Sequence, residues 1–142
     1  MSVVSERRYV RSCLFAAFIV SLTIPVTTGR TRDLNVEEAR RLAIQALRPT
    51  ERAAPGLDAE LAQSSHIAGF YRFEITWNNP NPGSAVIGSY AVNKATGDVW
   101  ELVQCRRMRS PDLKRLQQEL RQAIGLSSRE LHELREKTPC ES

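Results

Sequence analysis

In the run Phe70 to Trp77, apolar and polar residues alternate strictly from Tyr71 onwards, which is the clearest pattern in the chain. A period of two residues is typical of a β-strand with one buried side and one solvent-facing side. The pattern therefore predicts a half-buried strand. Its apolar positions are Tyr71, Phe73, Ile75 and Trp77, and its polar positions are Arg72, Glu74 and Thr76.

Two further apolar runs follow, over residues 85–92 and 99–104. The polar segment between them contains Gly97, which can adopt the positive φ that a hairpin turn with a bulge requires. Two runs joined by such a turn are expected to pair as neighbours. Together the three runs predict a three-stranded antiparallel β-meander over residues 70–105.

Residues 35–48 show a helical period instead, with apolar side chains recurring every three or four positions. Asn35 and Glu38 have the spacing of a capping box, which satisfies free backbone N–H groups at a helix start. Pro49 prevents the helix from continuing. We interpret the polar segment that follows, residues 49–65, as a surface connector with one helical turn.

A second helical region follows the predicted sheet and is expected to form a helical hairpin over residues 111–136. Ser110 and Pro111 form a helix start, Gly125 can end that helix in the left-handed conformation, and Ser127–Glu130 repeats the capping box. The predicted fold class is α+β, with one N-terminal helix packed on a three-stranded antiparallel sheet, followed by two C-terminal helices.

Residues 1–29 have the composition of a secretory signal peptide. Three arginines precede an apolar run from Cys13 to Val26, and small residues follow up to Gly29. An uncleaved membrane anchor is the alternative, although a span needs about 20 apolar residues. We expect cleavage near residues 28–29 and a single exported domain, periplasmic or secreted, over residues 30–142. Cleavage would lower the formal net charge from +4 to about +2, so the charge does not indicate nucleic-acid binding.

Removal of Cys13 with the signal leaves Cys105 and Cys140. An even number of cysteines in an exported chain predicts a disulfide. By closing a loop in the unfolded chain, this bond would stabilise the folded state by roughly 3–4 kcal/mol. Two separate buried thiols are the alternative. His66 and His132 lack the spacing of metal ligands, and we expect no metal site.

Two segments are candidate binding surfaces. The first is a Pro-rich loop between the first two predicted strands, and the second is a basic cluster after the third predicted strand. The alternatives are that Trp77 packs in the core and that the charges of the cluster are simply solvated. The candidate residues are Trp77, Asn78, Asn79 and Asn81 in the loop, and Arg106, Arg107 and Arg109 in the cluster.

No grouping of residues indicates catalysis or cofactor binding. Ser64, Ser65 and His66 are adjacent in sequence, but a nucleophile and its base need aimed side chains and a third orienting group. Glycine is sparse, and no run of it could cradle a phosphate. We expect no catalytic residues and no cofactor, and therefore no enzyme.

The hairpin from Tyr90 to Trp100 carries an aromatic strand, a polar residue, Thr-Gly and then an apolar residue. This pattern resembles the PepSY domain of exported bacterial proteins over about residues 35–104. The resemblance implies an exported module that binds a protein or inhibits a protease, and it supplies no catalytic residues.

The predicted function is therefore exported, non-enzymatic binding of an unidentified protein partner in the cell envelope or outside, as a protease inhibitor or an immunity-type protein. The alternative is a helix-turn-helix DNA-binding protein over residues 113–135, with Lys114, Arg115, Arg121, Arg129 and Arg135 supplying positive charge. An exported chain meets no chromosome, so we expect no nucleic-acid partner. We also expect no membrane contact beyond an uncleaved anchor.

Overall fold

The structure is a computed structural model that describes residues 30–62, 67–78, 83, 85–135 and 137–140. The predicted signal peptide, residues 1–29, lies outside the described residues and stays a prediction. The described elements are α1 Val36–Ala46, α2 Pro49–Arg52, β1 Asp58–Leu61, β2 Phe70–Thr76, β3 Val86–Asn93, β4 Val99–Glu101, β5 Arg106–Arg107, α3 Pro111–Ala123 and α4 Ser128–Leu134.

The fold is α+β, built on an antiparallel sheet whose five strands lie in the order β1-β2-β3-β4-β5. The three predicted strands form its centre, but the expectation of three strands is wrong because a further strand pairs at each edge. Within residues 49–65, interpreted as a connector, α2 supplies the helical turn and β1 pairs with β2. Asp58–Leu61 is too short and too polar for an alternating pattern to be recognised, and only Ala59 is buried.

The third strand ends three residues earlier than predicted, at Glu101. The Glu101 carboxylate accepts hydrogen bonds from the backbone N–H groups of Val103 and Gln104, at 2.9 and 3.0 Å, and this turns the chain. The chain then returns along β4 as β5, which consists of two of the basic residues predicted to follow the sheet. Strand β5 forms because its backbone pairs with β4, not because its side chains are apolar.

Helix α1 begins as the sequence predicts. Asn35 Oδ1 accepts from the Glu38 N–H at 2.9 Å, and the Glu38 carboxylate accepts from the Asn35 N–H at 2.8 Å. Its buried stripe is rich in alanine, which lets the helix lie close to the sheet. The stripe consists of Ala39, Leu42, Ala43 and Ala46.

The hydrophobic core lies between the sheet and the two longer helices, α1 and α3. Phe73, Ile75 and Val99 come from the sheet and are fully buried, whereas Leu113 and Ile124 anchor the two ends of α3 in the same core. Gly125 has φ +71°, so the predicted left-handed end of α3 is confirmed. The turn that it makes leads directly into the capping box of α4 at Ser127.

The C-terminal tail is tied to the sheet by a disulfide between Cys140 and Cys105, whose Cα atoms lie 6.0 Å apart. Cys105 is in the turn between β4 and β5, and Pro139 beside Cys140 is buried. Among the described residues, no helix is long and apolar enough to cross a lipid bilayer.

Candidate functional site

The site is built around the turn between β3 and β4, which is unusually buried for a loop. Asn93, Thr96 and Asp98 are all less than 5% exposed. Asn93 Oδ1 accepts from the N–H groups of Ala95 and Thr96, at 2.9 and 3.0 Å. The Thr96 hydroxyl donates to Asp98 Oδ2 at 3.0 Å, and Gly97 has φ +69°. The turn therefore holds the Asp98 carboxylate in one orientation, and the predicted positive φ of Gly97 is confirmed.

Helix α3 binds this turn through two polar side chains spaced one helical turn apart. Gln117 Nε2 donates to the carbonyl oxygen of Gly97 at 2.8 Å, and Arg121 Nε donates to that of Thr96 at 2.6 Å. The same guanidinium reaches Asp98 Oδ1 through Nη2 at 2.8 Å. Because three hydrogen bonds hold them, these side chains fix α3 against the end of the sheet.

Asp98 is shared by three arginines from different parts of the chain. Arg107 Nη2 lies 2.5 Å from Oδ1, and Arg135 Nε lies 3.8 Å from Oδ2. Burial lowers the pKa of Arg121 below its usual value, Asp98 opposes this shift, and the nearby charges of Arg135 and Arg107 add to it. One carboxylate thus lies among cations that repel one another.

These groups line a cavity of about 290 Å³ that we call the arginine pocket. It places five basic side chains around one carboxylate, which leaves a strong excess of positive charge. Its wall consists of Asp98, Arg107, Met108, Arg109, Lys114, Gln117, Arg121 and Arg135.

The predicted binding residues fall into separate places. Arg107 and Arg109 line the arginine pocket, whereas Arg106 is exposed on β5 opposite Glu101 and does not line it. Trp77 is half-buried and lines a different depression of about 330 Å³ with Thr50, Glu51, Ala54 and Ile87. The structure therefore does not bring the loop and the basic cluster into one pocket.

The loop candidates are described only in part. Asn78 is bound to the α2–β1 connection, since its N–H donates to the Pro55 carbonyl at 2.8 Å and its side chain lies directly beside Gly56. Asn79 and Asn81 lie outside the described residues.

The sequence patterns did not indicate Asp98 or Gln117 as binding residues, and they indicated Arg121 and Arg135 only as cations of the helix-turn-helix alternative. A signal was present, because Leu113, Gln117 and Arg121 recur every four residues and must share one face of α3. A polar pair in line with a core leucine indicates side chains directed at a buried partner. That partner, Asp98, could not be inferred without the fold.

The same contacts bear on the helix-turn-helix alternative. Arg121 and Arg135, two of its five proposed cations, are both turned towards Asp98. The second helix, α4, has only seven residues.

In the part of the chain that the structure describes, no group of three or more His, Cys, Asp or Glu side chains could hold a metal ion.

Comparison with known proteins gives one informative likeness. No protein-family model matches the chain, and no curated protein matches it. The chain is similar to a chain in a solved structure of a type VI secretion system effector-immunity complex from Pseudomonas protegens. The two are 26% identical, the TM-score is 0.59, and the likeness covers 78% of this chain and 92% of that one.

Proposed function

We propose that this chain is an immunity-type protein that binds a type VI secretion effector and blocks its action. The observation that carries the proposal is the likeness to a chain of an effector-immunity complex over 92% of that chain's length. A likeness over 78% of this chain is far longer than one common hairpin.

The complex contains an effector and an immunity component, and two features favour the immunity role. The predicted signal peptide would carry the chain into the envelope of the cell that makes it, where a protective binding protein meets an incoming effector. The sequence also contains no motif typical of a nucleophile with its base, which favours binding over catalysis.

The surface of the domain suits a protein partner. Arginine is enriched at protein interfaces, and several arginines converge in the arginine pocket. The pocket is held by hydrogen bonds between α3 and the β3–β4 turn, so little ordering is needed on binding.

A protection assay tests the proposal. Candidate effectors encoded beside this chain's gene are expressed in the periplasm of a laboratory host, with and without the full-length chain. We expect one effector to stop growth alone and the chain to restore growth, and we expect the purified pair to form a saturable complex. The matched control is a version that lacks residues 1–29, which should fail to protect because it stays in the cytosol.

Two results would overturn the proposal. If the chain itself stops growth when it is exported, it has the activity of an effector. If it protects against none of the toxic candidates and binds none of them in purified form, the immunity role is wrong.

A further inference from the structure

We infer that the arginine pocket binds an aspartate or glutamate side chain of the partner protein. This inference rests on the proposed function for the identity of the partner, but the evidence for a carboxylate comes from the pocket alone.

Positive charge in the arginine pocket exceeds negative charge. Arg107, Arg121 and Arg135 all face Asp98, which offsets only one of their three charges. Two further cations line the same cavity. Because like charges at short range in a partly buried cavity repel strongly, a second anion in the pocket lowers its electrostatic energy.

Two cations of the pocket have no carboxylate partner among the described residues. Arg109 and Lys114 are exposed, and neither pairs with a carboxylate anywhere in the described ranges of the chain. Several other exposed arginines do have such partners: Arg48 pairs with Glu51, Arg115 with Asp112 and Arg129 with Glu133. Arg41 and Arg106 are also exposed without a carboxylate partner in the described ranges, but Arg109 and Lys114 lie together at the cavity, where an incoming anion would meet both.

The arginines of the pocket are also oriented to bind a carboxylate. The guanidinium groups of Arg107 and Arg121 already bind a carboxylate oxygen, Oδ1 of Asp98, at 2.5 and 2.8 Å. The planar donor fork of arginine matches a carboxylate, and an arginine held by its own neighbours loses little freedom when it binds. Arg121 is held in this way by its hydrogen bond to the Thr96 carbonyl.

The shape of the site favours a protein side chain over a nucleic acid. The charges converge on one cavity of about 290 Å³, whereas a nucleic-acid backbone needs positive charge spread along a groove. One aspartate or glutamate side chain from a protein partner would enter such a cavity.

A peptide-binding experiment tests this inference without the effector. The full-length chain is expressed with its N-terminal segment, and the protein is purified from the periplasm. Fluorescent oligoglutamate and oligoglutamine peptides are titrated by anisotropy, and the Nε–H resonance of Arg121 is followed by NMR. We expect saturable binding of oligoglutamate alone, with a shift of the Arg121 resonance. Arg109→Ala/Lys114→Ala should weaken binding about tenfold, because charged hydrogen bonds are lost.

The control is Arg115→Ala/Arg129→Ala, which removes the same charge from exposed side chains outside the pocket. It should bind within about twofold of the unchanged protein. Equal weakening by both double variants would show non-specific attraction and overturn the inference. Tighter binding of inorganic phosphate or duplex DNA at the same residues would also overturn it. Failure of the protection assay with intact peptide binding would overturn only the proposed partner.

Discussion

The guanidinium groups of Arg107 and Arg121 contact the same oxygen atom, Oδ1 of Asp98, at 2.5 and 2.8 Å. Arg107 belongs to the edge strand β5 and Arg121 to α3, so one buried carboxylate joins the end of the sheet to the C-terminal helices. Without that negative charge the two cations would face each other with no compensating group. Asp98 is therefore both part of the arginine pocket and a determinant of stability.

Replacement of Asp98 by asparagine keeps the shape of the side chain and removes its charge. We expect Asp98→Asn to lower the free energy of unfolding by about 3–5 kcal/mol, because it leaves partly buried cations without their counter-ion. Urea denaturation followed by circular dichroism measures the change.

The control for this prediction is Asp112→Asn. Asp112 also contacts two arginines, but its side chain is 50% exposed and the distances are 3.4 and 3.7 Å. Its replacement should cost about 1 kcal/mol or less. Equal losses for the two variants would show that the charge of Asp98 has no special role.

The disulfide between Cys105 and Cys140 closes a loop of 35 residues that includes α3 and α4. In the chain-entropy account, such a bond stabilises by restricting the unfolded chain. We expect Cys105→Ser/Cys140→Ser to lose about 3–4 kcal/mol of unfolding free energy. A reducing agent should produce the same loss in the unchanged protein and none in the variant, and urea denaturation with and without the agent measures both. Sensitivity of the variant to the reductant would contradict this explanation.

The features that the sequence predicts well are those determined by residues close together in the chain. The capping boxes at Asn35 and Ser127 form as expected, as do the left-handed glycines at 97 and 125. In each capping box, a side chain bonds to a backbone group three residues away. At each glycine, one residue alone adopts the left-handed φ. The fold is predicted less completely. Strand β1 pairs with β2 and strand β5 pairs with β4, and neither edge strand has an alternating pattern of its own that would predict it.

The arginine pocket was beyond sequence reasoning for the same reason. Asp98 and Arg121 are 23 residues apart, and their contact depends on how α3 packs against the β3–β4 turn. The basic cluster at 106–109 was recognised as a candidate, and two of its three arginines line the pocket. Lys114 and Arg121 come from α3 and Arg135 follows α4, and the sequence does not show which carboxylate these cations approach.

Gly97 is required by both its backbone conformation and its surroundings. It has φ +69°, and a Cβ at this position would lie 3.0 Å from Leu42 Cδ1 and 3.1 Å from Leu34 Cδ1. We expect Gly97→Ala to cost about 1–2 kcal/mol for the left-handed conformation and about 1 kcal/mol or more for crowding in the core. Thermal and urea denaturation measure the loss.

Gly69 provides the matched control, because it has φ +81° and a Cβ there would meet nothing within 4 Å. Gly69→Ala should show the backbone cost alone, about 1–2 kcal/mol. The difference between the two variants measures the crowding. If Gly69→Ala costs as much as Gly97→Ala, the contact of Gly97 with Leu34 and Leu42 is unimportant.

Three carboxylates at helix starts have a pKa below the usual range. A hydrogen bond from Arg32 is the main cause at Glu38, one from Arg48 at Glu51, and one from Ser127 at Glu130. Backbone N–H groups at the helix starts add to each shift, since they favour the ionised form.

These shifts predict a loss of stability in acid. Because each pKa is lower in the folded chain than its unfolded value of about 4.3, the stabilisation is complete above that pH and is lost as the pH falls through the folded pKa. We expect the urea midpoint to fall between about pH 5 and pH 3. Glu38→Gln/Glu51→Gln/Glu130→Gln should be less stable near neutral pH and show a shallower fall in acid, since these groups no longer titrate. An equally steep fall in this variant would assign the acid sensitivity to other carboxylates.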